Sequence, residues 1–237
     1  MAQNALSSII DGHLWRIIRC CLFAGISFVL VGCASGQQNV VPEMQAQVDR
    51  STFDCTVVKE IPLAECQALI ALYTATNGPH WAPEYAWLRA DRPCTWQGVS
   101  CGKRFLRVFF IRSEHVTQLE LPHAHLQGQL PPEIGLFTHL TRLDLGSNEL
   151  TGLPAEIGQL AMLETLEVDN NKLTRLPPEM SQLSNLIDID LDHNELTEVP
   201  SEFSQLTKLK RLDLRGNPPI KLPPELDQLP NLEILLE

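Results

Sequence analysis

The residues best placed to do chemistry in this sequence are carboxylates that recur at a nearly constant interval. The interval is 24 residues once and then 23, and the carboxylates are Glu120, Asp144, Glu167, Asp190 and Asp213. At strand spacing, such a row offers oxygen atoms to a basic partner or to a hard cation such as calcium. Exposed carboxylates repel one another only weakly in water, so the same row is also compatible with no ligand.

Two further rows flank these carboxylates. Like charges directly opposite one another on neighbouring strands are destabilising, so we expect flanking arginines to offset the acid in part. One row is Gln118, Arg142, Thr165, Asp188 and Arg211, and the other is Pro122, Gly146, Asp169, Asp192 and Arg215. We predict that a partner binds the charged members of all three rows: Glu120, Arg142, Asp144, Glu167, Asp169, Asp188, Asp190, Asp192, Arg211, Asp213 and Arg215. No metal or cofactor is expected there.

Histidines are the second group of candidate ligands. His115 and His139 occupy equivalent positions, and His123 aligns with His193. A histidine pair can bind zinc, but the spacing brings no further ligand to one site, so we expect surface histidines. The sequence contains no G-x-S-x-G, H-E-x-x-H or P-loop motif, so we predict a protein without catalytic residues. A hydrolase that uses the acidic row or the histidines is the alternative.

A leucine pattern must position these residues. Its reference positions are Leu119, Leu143, Leu166, Ile189, Leu212 and Leu235, and each block is close to L-x-x-L-x-L-x-x-N-x-L. The pattern resembles the leucine-rich repeat and implies an α/β fold, a right-handed solenoid with a curved parallel sheet on its concave face. The segment L-P-x-E after each strand predicts a short helical turn on the convex side. A ladder of side-chain amides is expected from Asn148, Asn171, Asn194 and Asn217, with Ala124 at this position in the first repeat.

The N-terminus indicates an export signal. A basic flank precedes an uncharged apolar segment, residues 20–31, that is shorter than the roughly 20 residues of a membrane-spanning helix. The sequence Leu30-Val31-Gly32-Cys33 resembles the lipobox of bacterial lipoproteins, which implies cleavage before Cys33 and lipidation of its thiol. Ala34 then implies sorting to the outer membrane, by resemblance to the Gram-negative rule. An ordinary signal peptide with a chance cysteine is the alternative.

Four cysteines follow the export signal and Cys33. An even number in an exported chain indicates disulfide bonds, and four cysteines allow three connectivities. We predict the local pairs Cys55–Cys66 and Cys94–Cys101. A zinc site is the alternative, although no C-x-x-C spacing is present. The polar segment that precedes Cys55 has the composition of a flexible tether.

A helix and several tryptophans precede the repeats. Helical spacing around 64–73 predicts a buried face formed by Leu63, Cys66, Leu69, Ile70 and Tyr73. This segment and Cys94-Thr-Trp-Gln-Gly-Val-Ser-Cys101 resemble the N-terminal cap of extracellular leucine-rich repeat proteins, among them plant receptor-like kinases and polygalacturonase-inhibiting proteins. The resemblance implies that the tryptophans pack against the open end of the solenoid. Sugar binding by Trp81, Trp87 and Trp96 is the alternative.

The expected organisation is a signal peptide (1–32), a tether (33–54), a cap (55–115) and the repeats (116–237). A formal net charge of −11 argues against a nucleic-acid partner. We therefore expect a non-catalytic, lipid-anchored protein of the cell envelope that binds a protein or glycan through its concave face. A secreted inhibitor that resembles polygalacturonase-inhibiting proteins is the alternative. The last strand is expected to pair with a second copy of the chain or to fray.

Overall fold

The computed structural model describes residues 53–103 and 114–237, which belong to one compact unit, Gln47–Glu237. The predicted signal peptide, the lipidation site Cys33 and the tether as far as residue 52 lie outside the described residues. Among the described residues, no helix combines the length and the apolar character needed to cross a membrane.

The β-structure of the described residues consists of a seven-stranded and a two-stranded sheet. The strands are β1 (Val99–Lys103), β2 (Glu114–Glu120), β3 (Gln127–Gln129), β4 (Arg142–Asp144), β5 (Glu149–Gly152), β6 (Thr165–Glu167), β7 (Asp188–Asp190), β8 (Arg211–Asp213) and β9 (Glu233–Leu235). The larger sheet has the order β1-β2-β4-β6-β7-β8-β9, and β3 pairs with β5 in the smaller one. Every pair is parallel except β1 with β2. The predicted parallel sheet is confirmed, and β1 is an antiparallel addition to it.

Alternation along each strand separates a leucine core from a polar face. In β4, Leu143 is completely buried between the partly exposed Arg142 and Asp144. The same pattern of burial recurs in β6 and β7. Successive side chains of a strand point to opposite sides, so the leucines fill the interior while the charged residues face outward. Each fully buried leucine contributes about 1.5–3 kcal/mol relative to an exposed one, and the fold rests mainly on these residues.

Short 3₁₀-helices complete the repeats where the sequence predicted helical turns. They are Pro132–Leu136, Ala155–Gln159, Pro178–Gln182, Ser201–Gln205 and Pro224–Gln228, and a proline precedes each of them. Proline suits this position because its φ is already close to the helical value and it has no N–H to satisfy. Three more lie near the N-terminal end: Gly78–His80, Pro83–Tyr85 and Pro93–Thr95.

The predicted asparagine ladder is confirmed, and Asn148 shows how it works. Its Oδ1 accepts the backbone N–H of Leu126 at 3.0 Å, and its Nδ2 donates to the carbonyl oxygen of Leu121 at 2.8 Å. Both partners belong to the preceding repeat, whereas the carbonyl of Leu145, which Nδ2 also contacts, belongs to its own. The later ladder asparagines repeat this arrangement: Asn171, Asn194 and Asn217.

The N-terminal segment contains helix α1 (Leu63–Ala75), and its buried face differs in part from the predicted one. Leu63 was expected to be buried, but this residue is 48% exposed. Glu65 takes a place on the buried face instead and is only 3% exposed. Helical periodicity counts apolar residues, so it assigned a first-turn leucine to the core and missed a carboxylate that finds polar partners there.

Aromatic packing and two disulfide bonds hold this segment together. The bonds Cys55–Cys66 and Cys94–Cys101 are those predicted. The rings of Trp81 and Trp87 pack edge to face at 4.9 Å, and Trp96 lies 5.3 Å from Trp87. All three indoles are buried, and each N–H donates to a backbone carbonyl. Buried indoles with satisfied N–H groups fit the packing role rather than a sugar platform.

The last strand departs from the predicted register by one residue. Leu235 was expected to align with Leu212, but the partner of Leu212 is Ile234, and Leu235 is opposite Asp213. A one-residue shift exchanges the two faces of a strand. Because β9 pairs with β8 along one edge, a single neighbour fixes its register. The observed register places Glu233 beside Arg211 and turns Ile234 toward the core.

Candidate binding surface

The strand register aligns the predicted rows. Register partners in the middle row follow in the order Glu120, Asp144, Glu167, Asp190 and Asp213. The row from Gln118 to Arg211 is aligned by the same pairs, and backbone hydrogen bonds such as Ser147 N to Asp169 O (2.9 Å) continue the alignment beside the third row. We call the side of the sheet that carries these rows the outer face.

The charges of the outer face do not balance. The predicted binding residues comprise eight carboxylates and three arginines, an excess of five negative formal charges. Exposure also varies along the middle row. The Glu120 side chain is 42% exposed and that of Glu167 27%, whereas that of Asp213 is completely buried. Carboxylates of one row therefore lie in different environments.

Arg142 links partly exposed carboxylates at one end of the face. Its Nη2 donates to Glu167 Oε2 at 2.6 Å, and its Nε lies 3.0 Å from Glu120 Oε1. The second contact is an ion pair without hydrogen-bond geometry. The third carboxylate is more distant, with 3.9 Å between Arg142 Nη2 and Asp144 Oδ2. We call these four residues the Arg142 cluster.

Asp213 is enclosed by arginines at the other end. Arg211 Nη2 donates to Asp213 Oδ2 at 2.6 Å, and Arg215 Nε donates to Oδ1 at 2.9 Å. Arg211 also pairs with Asp188 at 3.1 Å and with Asp190 at 3.3 Å. We call these five residues the Asp213 cluster. The arginines that the sequence predicted as partial compensation thus surround individual carboxylates.

The pKa values of carboxylates in the middle row are shifted in opposite directions. Burial raises the pKa of Asp213, but the hydrogen bonds from Arg215 and the charge of Arg211 outweigh it, so this pKa lies below its ordinary value. Burial raises the pKa of Glu167, and neighbouring Asp144 adds to the shift. Burial and the charge of Asp213 likewise raise the pKa of Asp190. The centre of the row therefore binds protons more readily than its enclosed end.

The third row contributes the carboxylates that arginine contacts least. The amide of Asn170 donates to Asp169 Oδ2 at 3.0 Å and to Asp192 Oδ1 at 3.3 Å. The Asp169 carboxylate lies over Gly146, where a Cβ atom would collide with it. Oxygen atoms of Asp190, Asp192 and Asp213 approach within 4.8 Å of one another, but two guanidinium groups already neutralise Asp213.

The two aligned histidines do come together, and with a partner that the sequence did not predict. The rings of His115 and His139 are stacked, with centroids 3.8 Å apart and planes 21° apart. His115 Nδ1 lies 2.6 Å from Glu65 Oε1 on helix α1. Glu65 is 50 residues from His115 in sequence, so repeat alignment gave no signal for this contact.

Comparison with known families agrees with the geometry. A leucine-rich repeat model matches residues 161–218, and a second one matches residues 139–160. Residues 139–218 are leucine-rich repeats. These repeats contain β4 to β8 and most of the outer face.

Similar proteins include plant receptors. Receptor-like protein 47 of Arabidopsis thaliana is 36% identical over 78 residues, which cover 32% of this chain and 9% of that protein. The leucine-rich repeat ectodomain of the receptor kinase SOBIR1 from Arabidopsis thaliana has a TM-score of 0.60 and 25% identity, over 74% of this chain and 92% of that one. The complex of PEPR1 with AtPEP1 has a TM-score of 0.60 and 26% identity, over 72% of this chain and 24% of that one. The chain thus spans about a tenth of the length of the curated relative that it matches.

Proposed function

We propose that this protein is a non-catalytic, lipid-anchored component of the cell envelope that binds a protein or glycan partner through the outer face. The observation that carries the proposal is the aligned outer face itself. Its strands and buried leucines hold the three rows in place before any partner arrives, which lowers the ordering cost of binding. Its excess of negative charge favours a basic partner surface.

The structural neighbours support a protein or peptide partner. One similar structure is the PEPR1 complex with AtPEP1. Another is the ectodomain of GASSHO1/SCHENGEN3 from Arabidopsis thaliana in complex with CASPARIAN STRIP INTEGRITY FACTOR 2, at a TM-score of 0.59 and 27% identity over 73% of this chain. Proteins of similar fold therefore bind protein ligands, and we extend this property to the present chain.

A capture experiment tests the binding surface. The full-length chain is cross-linked to the proteins of the cell envelope, and the outer-face variant Asp169→Lys with Asp192→Lys is treated in parallel. A control variant reverses two exposed carboxylates outside the outer face, Glu164→Lys with Glu195→Lys. We expect one partner to be captured by the wild type and the control and lost from the outer-face variant. Equal capture by both variants would reject the outer face as the binding surface.

The anchor is part of the same proposal. Cleavage after residue 32 would leave Cys33 as a lipidated N-terminus, with 33–54 as a tether to the folded part. Each CH₂ group of an acyl chain that enters the membrane contributes about 0.8 kcal/mol to binding, and more than one chain is needed for stable attachment. Two disulfide bonds are consistent with export, and Ala34 after Cys33 supports the outer membrane. Incorporation of labelled palmitate into the wild type but not into Cys33→Ser tests the anchor.

We further propose that residues 55–115 act as a cap on the repeats. Support comes from β1, which pairs with the first repeat strand β2, and from the buried tryptophans beside it. An end of a solenoid exposes apolar core unless another segment covers it.

For the last strand, we propose that β9 pairs with a second copy of the chain, with a frayed strand as the alternative. Leu236 is 49% exposed next to this strand. Light scattering across a range of concentrations tests the dimer, and a constant monomer mass at high concentration would exclude it.

A further inference from the structure

We propose that Glu65, His115 and His139 form a zinc site that connects helix α1 to the first two repeats. One ligand atom from each of these side chains lies within 4.8 Å of the others. Imidazole nitrogens bind zinc and neighbouring transition metals, and a carboxylate commonly holds such an imidazole from behind. The residues come from α1, from β2 and from the segment before β4, so the fold rather than the local sequence brings them together.

Glu65 orients the imidazole of His115 so that its other ring nitrogen can bind a metal. The carboxylate is 3% exposed, and its Oε2 accepts the backbone N–H of Val116 at 2.8 Å. Its Oε1 is 2.6 Å from His115 Nδ1, so Nδ1 of the neutral ring carries the proton and donates it. The lone pair of the neutral ring is then on Nε2. Carboxylate–histidine pairs of this kind orient the imidazoles of zinc sites and increase their basicity.

His139 supplies the second nitrogen. Its ring is stacked on His115 at 3.8 Å and is partly exposed. Two nitrogens bound to one ion at about 2.0–2.1 Å cannot belong to parallel rings, because each lone pair points along its own ring plane. A rotation of the His139 ring opens the stack and directs both nitrogens to one point. Water completes the four-coordinate shell, and Glu65 acts as a positioning residue.

The other metal-type clusters of the described residues are weaker candidates. The sulfur atoms of Cys94 and Cys101, which lie near Glu114, form a disulfide bond and offer no thiolate. Asp213, in the acidic cluster, is already bound by arginines. The histidine cluster differs because its carboxylate orients an imidazole whose other nitrogen can accept a metal.

The consequence is a metal clip between parts of the chain that are distant in sequence. Glu65 lies 50 residues before His115, so an ion held there favours the state in which α1 is docked. A ligand that binds the folded state alone stabilises it by an amount that grows with the ratio of its concentration to Kd. Zinc at a hundredfold excess over Kd should raise Tm by about 5–10 °C for a chain of this size.

Zinc titration by calorimetry tests the site in the full-length chain. All proteins carry Cys20→Ser, Cys21→Ser and Cys33→Ser, so that thiols outside the described residues do not bind the ion. We expect saturable binding of one zinc per chain, a rise in Tm, and reversal of both by a chelator. His139→Ala should weaken binding at least about tenfold, and Glu65→Gln about 10–100-fold. His193→Asn is the matched control, since asparagine tolerates the positive φ of 47° at that position.

The zinc titrations of the variants decide whether the site exists. Loss of binding in His139→Ala with retention in His193→Asn supports the site, and circular dichroism without metal establishes that each variant is folded. His139 lies outside the strands, so its variant is informative even if Glu65→Gln or His115→Ala does not fold. No saturable zinc binding by the parent protein, or equal weakening by His193→Asn, would overturn the proposal.

Discussion

The two ends of the outer face differ in how far their carboxylates are withdrawn from water. In the Arg142 cluster, an arginine that is 34% exposed joins carboxylates that water still reaches, with 42% exposure for Glu120 and 27% for Glu167. In the Asp213 cluster, one fully buried carboxylate is surrounded by arginines that remain 33% and 43% exposed. The row is continuous in sequence pattern, yet only the Asp213 end withdraws a carboxylate completely from water.

This difference indicates which end of the outer face can bind a partner and which end stabilises the fold. Exposed ion pairs contribute about 0–1 kcal/mol, and a basic partner can replace Arg142 at Glu120 or Glu167 with little loss of stability. A buried carboxylate is costly without partners, so Arg211 and Arg215 must stay with Asp213. We therefore expect the Arg142 end and the third row to meet a partner, and the Asp213 end to maintain the sheet.

The largest expected effect follows removal of the buried charge. Asp213→Asn should lower the free energy of unfolding by about 2 kcal/mol, because the amide leaves the charge-assisted hydrogen bonds of two arginines without a proper acceptor. Urea denaturation monitored by circular dichroism measures the change. A loss below about 0.5 kcal/mol, typical of a neutral surface substitution, would contradict the structural role of the Asp213 cluster.

The corresponding change at the other end should be smaller. Arg142→Gln is expected to lower the free energy of unfolding by less than about 1 kcal/mol in the same assay, because its carboxylate partners can be hydrated. Arg175→Gln, an exposed arginine outside the outer face, is the control. If Arg142→Gln destabilised the protein as much as Asp213→Asn, the proposed contrast between the two ends would be wrong.

The dependence of stability on pH should have opposite signs within the row. The pKa of Asp213 is lowered, so its contribution is present above the unfolded pKa and is lost as pH falls through the folded pKa. The pKa of Asp190 is raised, so its ionised form opposes folding above the folded pKa. Asp190→Asn should therefore give a small gain at pH 7 that disappears below the unfolded value of about 3.9. Urea denaturation at both pH values measures it, and a gain that grows on acidification would reverse the assignment.

The smallest expected effect is that of salt on the stability difference between the wild type and each variant. At about 1 M salt the screening length is near 3 Å, so the difference between wild type and Arg142→Gln should vanish. The difference for Asp213→Asn should persist, since direct hydrogen bonds to a buried carboxylate are less screened. Equal salt sensitivity of the two variants would show that both clusters behave as surface pairs.

The parts of this structure that could be predicted from sequence are those that repeat. The register of Glu120 to Asp213 and the ladder from Asn148 follow from spacing alone, whereas the local disulfide pairs were one choice among three connectivities. Glu65 was missed because its partner, His115, lies on another element, and apolar periodicity gives no signal for a buried carboxylate. The shift of β9 was missed because the repeat pattern assumes neighbours on both sides, whereas this strand has its register set by β8.

The asparagine ladder gives the array a direction. Each amide satisfies the turn of the repeat that precedes it, as Asn148 does for Leu121 and Leu126. Ala124 takes the place of the asparagine in the repeat before Asn148, and its methyl group makes no such hydrogen bond. Loss of one repeat therefore removes polar partners from the backbone of its N-terminal neighbour and from the buried asparagine of its C-terminal neighbour. Each boundary between repeats is thus fastened by polar groups that neither repeat can satisfy alone.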